Sequence, residues 1–359
     1  MRAVQVASFG GPIEVVELVD PTPSPDGVVI AVESTGLCRS DWHGWQGHDP
    51  DIATLPHVPG HEFAGMIAAV GHRVRDFAVG DRVTVPFVCG CGTCEHCYRG
   101  DAQVCPAQWQ PGFSGPGSFA ELVAIPRADF NLVRLPSAVS MDAAATLGCR
   151  FATAFRAVVD VGQVKAGEQA VVFGCGGVGL SIVMIATALG AQVTAVDVST
   201  SALRLAAELG AVNAVSLEAG MDGSGAVRDL LPDGCSISFD ALGSIATCRA
   251  AVESLQPRGR HVQVGLLPPA DIEDRATVPM HLVIGRELSI LGSHGMSARD
   301  YPRMLALVAE ERVDPLRLVT RWLSLEEVSG ALASMGTDPH PGMTVIHPRA
   351  AQASPQRER

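Results

Sequence analysis

Three groups of residues in this 359-residue chain have the types and spacing to do chemistry. The densest is Cys91, Cys94, Cys97 and Cys105, a C-x2-C-x2-C-x7-C run. Four thiolates on one short loop suit a closed tetrahedral zinc site. Such a site has no open position, so it staples a loop that has little core of its own rather than acting as a Lewis acid. Free or disulfide-bonded cysteines and an iron–sulfur cluster are weaker readings of the same spacing. Cys89 stands just ahead of the run and is its odd member.

The second group is scattered. Cys38-Arg39-Ser40-Asp41-Trp42-His43, Gly60-His61-Glu62 and Cys149 lie in separate segments. Two Cys and one His make a three-ligand zinc set with an open fourth position, the arrangement of a catalytic metal. Such a metal lowers the pKa of a bound water or alcohol toward ~7. Spacing alone does not join these segments, and taken by itself Cys149 reads as a buried hydrophobe.

The third group is Gly174-Cys175-Gly176-Gly177-Val178-Gly179, a G-x-G-x-x-G pattern. The pattern is weak alone. Here it directly follows the apolar run 170–173 and opens an apolar helical stretch, and Asp197 closes the next strand-like run 18 residues past Gly179. That context is the dinucleotide-binding fingerprint. Gly174 permits the tight turn, Gly176 lets a pyrophosphate approach the backbone, and Gly179 lets helix and strand pack closely. The helix N-terminus supplies unpaired N–H groups to phosphates. A carboxylate at Asp197 accepts hydrogen bonds from both adenosine ribose hydroxyls and repels a 2′-phosphate, which favours NAD(H) over NADP.

The elements that must position these groups fall into two patterns. Residues 1–140 read as short β segments punctuated by Gly and Pro, with apolar runs at 28–32, 62–70 and 81–85. A helix is expected over 141–159, carrying Cys149. From 170 to 264 strands and helices alternate: strands at 170–173, 192–196, 236–241 and 260–264, helices at 178–189, 202–209 and 245–255. That alternation means βαβ units and a parallel sheet. Helices over 298–311 and 325–335 flank a last strand at 343–347, and the polar end of the chain is expected to be disordered.

Composition agrees with a two-domain globular chain: 47% hydrophobic, 18% charged, 5% aromatic. A net charge of −12 argues against nucleic acid as a partner. No apolar run is long enough for a membrane span, and the first residues lack the build of a secretory signal, so a cytoplasmic location is expected. Ten cysteines, five of them between Cys89 and Cys105, read in that setting as metal ligands or buried hydrophobes.

With these motifs together, the chain resembles the zinc-containing medium-chain alcohol dehydrogenases, over residues 1–348. Carrying the resemblance are Cys-x-Ser-Asp-x-His at 38–43, Gly-His-Glu at 60–62, the four-cysteine lobe, Leu147-Gly148-Cys149, and the glycine turn with Asp197. It implies an α/β protein in which a GroES-like, β-rich catalytic domain is built from both chain ends around an inserted Rossmann domain. The expected boundaries are 1–151 (with the lobe at 89–105) and 294–348 for the catalytic domain, 152–293 for the NAD-binding domain, and 349–359 for the tail.

The resemblance assigns Cys38, His61 and Cys149 to a catalytic Zn²⁺ and Cys91, Cys94, Cys97 and Cys105 to a structural Zn²⁺, two ions per chain. Ser40 would take the substrate hydroxyl proton and pass it through the nicotinamide ribose to His43 and solvent. Asp41 would orient His61, and Glu62 would sit beside the metal. Arg39 would contact the pyrophosphate, with Gly174, Gly176, Gly177, Val178, Gly179, Asp197, Gly243, Val264 and Gly265 completing the cofactor site. Phe87 would wall the substrate pocket. Trp42 and Trp45 either line that pocket or pack in the core. The implied reaction is reversible hydride transfer between a primary or secondary alcohol, held as a zinc alkoxide, and NAD. The implied assembly is a homodimer or homotetramer. Two positions depart from the family: Ala202 stands where a Lys is frequent, and Met343 follows Gly342 where a basic residue is frequent.

Overall fold

The structure, a computed structural model, describes residues 1–218, 222–267, 278–337 and 340–349. The expected tail beyond residue 349 lies outside them. The chain forms two compact units, Met1–Cys149 with Gly295–Arg359, and Arg150–His294.

In the first unit a seven-stranded sheet runs Val319–Leu323, Met343–Ile346, Val28–Leu37, Glu62–Val70, Arg82–Thr84, Val133–Arg134, with Leu122–Ile125 also paired to Val28–Leu37. Val28, Ile30 and Val32 alternate onto one face and pack with Phe63, Ile67, Val83 and Ile125, as strand periodicity requires. The antiparallel register sets Gly36 opposite Glu62. The residues just beyond, Cys38 on one strand and His61 ahead of the other, therefore emerge side by side. The last strand, Met343–Ile346, pairs Thr344 with Leu37, so the C-terminal part of the chain braces the strand end that delivers Cys38. Asp142 ties the same region together: it accepts hydrogen bonds from Ser34 Oγ, from Trp322 Nε1 at 2.9 Å and from His347 Nε2 at 2.8 Å. Burial pushes its carboxyl up, but these three partners outweigh that and hold it at about 2.

The second unit is a six-stranded, all-parallel sheet in the order Asn213–Ser216, Gln192–Asp197, Gln169–Phe173, Cys235–Asp240, Leu255–Gln263, Ser289–Gly292. Numbered along this unit that order is 3-2-1-4-5-6, the doubly wound arrangement whose ligand site lies where the order reverses, beyond the ends of strands 1 and 4. Gly174 follows the first of these strands, and Gly243 lies just past the second. The helix Gly177–Ala188 is apolar nearly all round, and Leu180 to Ala186 are buried. Such a helix must be covered on more than one side.

One expectation is corrected. The stretch 141–159 is not a single helix. Met141–Ala145 and Arg150–Arg156 are separate α-helices, the second continuing as a π-turn over Ala157–Val161. Cys149 lies in the turn between them. The break has visible causes: Gly148 O accepts the Phe87 N–H at 2.9 Å, and the buried Tyr301 hydroxyl donates to Leu147 O at 3.0 Å. Carbonyls bonded outward in this way are not available to continue a helix.

Candidate active site

Cys38 caps the short helix Arg39–Trp45, and Asp41 is its third residue. Asp41 is the hub of the site. Its Oδ2 accepts the Cys38 N–H at 2.8 Å, which fixes the helix start. Its Oδ1 accepts the Gly60 N–H at 3.1 Å and the His61 Nδ1–H at 3.0 Å. Both side chains are fully buried. With Nδ1 donating, His61 presents the lone pair on Nε2, and Nε2 is a buried atom with no hydrogen-bond partner.

What faces that nitrogen is a pair of sulfurs. The ligand atoms of Cys38, His61 and Cys149 all lie within 4.8 Å of one another. Cys149 arrives because Gly148 lets the 146–149 turn lie against the strand Glu62–Val70: a Cβ on Gly148 would sit 3.0 Å from Glu62 Cα. An imidazole nitrogen and two thiols, buried and oriented by a carboxylate behind the histidine, fit a Zn²⁺ ion that keeps a fourth position open.

Around this set the structure places Ser40 Oγ 3.8 Å from Cys38 Sγ. Glu62 is fully buried at the start of its strand, and its backbone carbonyl accepts the Thr35 hydroxyl at 2.9 Å. Phe87 stands edge-on to the His61 ring at 6.2 Å, and Phe113, which sequence reading did not single out, is closer at 5.0 Å. Trp42 instead packs in the apolar cluster of Leu325, Val328 and Leu332, with the Arg39 guanidinium 4.3 Å above its ring. Arg39 also donates to Met335 O. His43 meets a partner missed in the sequence: its Nδ1 is 3.1 Å from Nδ1 of the exposed His48. Burial, with the Arg39 and His48 charges beside it, holds the His43 imidazole below its ordinary pKa. His43 is therefore neutral at neutral pH and able to accept a proton.

The four-cysteine lobe closes as spacing suggests. Cys91 Sγ lies 3.9 Å from Cys97 Sγ and Cys94 Sγ 3.7 Å from Cys105 Sγ, all four being free thiols within 4.8 Å of one another. The Thr93 hydroxyl and then its N–H hold the Cys91 thiol at about 5, while burial pushes Cys97 up to about 12. A divalent cation among them would bring all four to thiolates, and the set fits a structural Zn²⁺. Cys89 lies outside the quartet, fully buried in the sheet core, where burial pushes its thiol up to about 12.

In the second unit the glycine turn is as tight as its pattern implies. A Cβ on Gly179 would stand 1.8 Å from Gly174 O, so no other residue fits. Asp197 ends its strand, and its carboxylate accepts the Cys175 N–H at 2.5 Å and the Ser199 N–H at 2.7 Å. Across the switch point Asp240 does similar work. It is fully buried, and its Oδ1 accepts the N–H groups of Leu242 and Gly243 at 3.0 Å each. Its backbone carbonyl takes those of Val264 and Gly265, at 3.0 and 2.8 Å. Gln263 bridges Asp240 Oδ2 and Gly265 O. Sequence reading singled out Gly243, Val264 and Gly265 but not the carboxylate that sets them. A charged residue ending an otherwise apolar strand, as at Asp197, was the available signal.

Comparison with known proteins agrees with this geometry. Residues 24–137 match the alcohol dehydrogenase GroES-like domain family and residues 177–310 the zinc-binding dehydrogenase family. An alcohol dehydrogenase of Geobacillus stearothermophilus is 32% identical over 314 residues, 87% of this chain and 90% of that protein. The solved alcohol dehydrogenase of Thermus sp. ATN1 superposes with a TM-score of 0.86 at 30% identity, covering 97% of this chain and 99% of that one. An Escherichia coli CFT073 dehydrogenase solved with NADH gives 0.85 at 27% identity, with the same coverage. The chain belongs to the zinc-containing medium-chain alcohol dehydrogenase family and is a zinc- and NAD(H)-dependent oxidoreductase.

Proposed function

We propose that the protein oxidises a primary or secondary alcohol to its carbonyl compound, reversibly, at the Cys38–His61–Cys149 centre. The observation that carries this reading is the buried His61 Nε2, without a hydrogen-bond partner and grouped with two thiols. Zinc held there supplies Lewis acidity at its open position, and bound NAD supplies the hydride acceptor.

The chain's own residues do the rest. Asp41 holds the His61 tautomer and orientation through the bond to Nδ1. Ser40 accepts the substrate hydroxyl proton beside Cys38. His43, three residues on along the same helix, is the outlet toward solvent, with His48 at its outer side. Phe87 and Phe113 exclude water next to the His61 ring. In the second unit the glycine turn receives the phosphates, Asp197 the adenosine ribose, and Gly243, Val264 and Gly265 line the switch point. Arg39 is read as a further phosphate contact.

A homodimer or homotetramer is supported by the edge strand Ser289–Gly292, where Ile290 and the nearby Met280 and Ile284 are exposed. Reduced thiolate ligands suit the cytoplasm. No helix among the described residues is long and apolar enough to cross a membrane.

The test is NADH formation by purified, zinc-replete protein against primary, secondary, aryl and polyol alcohols. Turnover of one class identifies the substrate. Absence of turnover across the panel, in both directions and with zinc in place, would contradict the reading.

A further inference from the structure

We infer that Gln263 is a positioning residue for the nicotinamide half of the cofactor, acting with Asp240 on the two loops, 241–243 and 264–266, that receive it. The inference rests on the dinucleotide reading above. A doubly wound sheet has two mononucleotide halves, strands 1 to 3 and strands 4 to 6. Asp197 ends strand 2, which gives the adenosine to the first half and leaves the nicotinamide nucleotide to the second. The two loops leave the neighbouring strands 4 and 5, and the first lies against the glycine turn: a Cβ on Gly174 would meet Leu242 Cβ at 3.0 Å. The loops touch glycine to glycine. A Cβ on Gly243 would overlap Leu266 O and Gly265 C, and one on Gly265 would overlap Gly243 N. Leu242 and Leu266, on either side of that contact, are 61% and 71% exposed, so the loops present apolar surface beside it.

Gln263 uses its whole amide to hold this arrangement. Its Nε2 donates to Asp240 Oδ2 at 2.9 Å and to Gly265 O at 2.8 Å. Two acceptors on that side fix the orientation of the amide, so Oε1 faces His261 Nε2 at 3.1 Å and accepts from it. The fully buried His261 then accepts at Nδ1, from the Ser238 hydroxyl at 3.1 Å. Burial holds this imidazole below its ordinary pKa, in keeping with the neutral form that such bonding needs. The bonds from Ser238 through His261 and Gln263 to Asp240 therefore all run in one direction. They end on the carboxylate that takes the Leu242 and Gly243 N–H groups. One side chain thus grips both loops, the first through Asp240 and the second at Gly265 O. Gln263 itself is half-buried, at the end of its strand and outside the apolar core, so its amide orders the loop surface more than the sheet.

The experiment compares wild type, Q263M and S238A for equilibrium binding of NADH (by fluorescence) and of ADP (by calorimetry), with zinc content and unfolding midpoint measured on each. ADP keeps the adenosine and both phosphates and lacks the nicotinamide nucleoside. Methionine keeps the length of Gln263 and removes its hydrogen bonds. Q263M is expected to weaken NADH roughly 10-fold, the range for losing a hydrogen bond to a charged group, while ADP affinity stays within about two-fold of wild type. The emission of bound NADH should shift toward that of the free cofactor, because the nicotinamide is the reporter. S238A cuts the outermost link and should show the same selectivity at a smaller size, about two- to three-fold. Unchanged NADH binding by Q263M overturns the inference. So does a parallel loss of NADH and ADP, which would mark Gln263 as a general support of the unit. If Q263M is too unstable to titrate, S238A decides alone, and unchanged NADH binding by it counts against the inference. Wild-type protein that fails to bind NADH at all would instead sink the cofactor reading on which the inference rests.

Discussion

Cys91, Cys94, Cys97 and Cys105 lie on one loop, partly open to solvent, and close on one another with no help from a distant strand. Cys38, His61 and Cys149 come from three segments brought together by a sheet register, a helix cap and a broken helix, with Asp41 behind the histidine. Both clusters suit zinc. The first spends every ligand position on protein and so can only hold its loop. The second offers three protein ligands and has Ser40, Asp41, Phe87 and Phe113 beside it, to which the proposed function gives accepting, orienting and shielding roles. The difference between a staple and a reaction centre thus lies less in the ligands than in their number and in what the fold places next to them.

The sharpest way to break that comparison is to remove one ligand from each. Cys149→Ala should reduce zinc to one ion per chain and cut turnover by more than about 10³-fold, with little change in unfolding midpoint. Cys94→Ala should also reduce zinc to one. Its main effect should be a fall in midpoint of roughly 5–10 °C, because the lobe has little apolar core besides its own cysteines, Ala102 and Phe130. Metal analysis, calorimetry and steady-state rates on the same preparations would decide it. If the two variants lose activity and stability alike, the division of labour is wrong.

Next in size is Ser40→Ala. Turnover should fall by roughly 10²–10⁴ while both zinc ions stay bound, since Ser40 is not a ligand. Full turnover with intact metal would mean that the proton leaves by another route.

These two expectations also mark what the sequence could and could not convey. The cysteine lobe is legible because its ligands are local: the spacing is the geometry. The Rossmann unit is legible because alternation of apolar strands and helices has few topological solutions. The catalytic set is different. Nothing in the spacing of Cys38, His61 and Cys149 joins them, and only resemblance to a family did so before the register placed Gly36 opposite Glu62. The expected helix over 141–159 failed at the one place that matters, because outward bonds from Leu147 and Gly148 to Tyr301 and Phe87 are long-range and leave no local periodic trace. His48, Phe113 and Asp240 escaped for a similar reason: each acts through a partner that is distant in the chain or set by a turn.

Asp41→Asn sharpens the comparison from behind the metal. The amide can still cap the helix, but it cannot hold His61 with the same charge. The catalytic site should bind zinc 10- to 100-fold more weakly while the lobe keeps its ion. Competition with a chromogenic chelator reads this directly, and equal retention at both sites would show that Asp41 is only a cap.

The smallest effect belongs to His43. Its pKa is held below the ordinary value, by burial first and then by the Arg39 and His48 charges, so the neutral, proton-accepting form persists further toward acid than in a free imidazole. His43→Gln should lose alcohol oxidation a few-fold on the acid side and converge on wild type at alkaline pH, where solvent base takes the proton. A uniform loss across the profile would point to packing against Trp42 rather than proton transfer.

The central claim, that one cluster is closed and the other open, is tested most directly by metal analysis of the freshly purified chain followed by timed chelation. The account predicts two zinc ions per chain, with activity lost in step with release of the first and the second leaving more slowly. One ion or none in active protein, or simultaneous release of both, would contradict it.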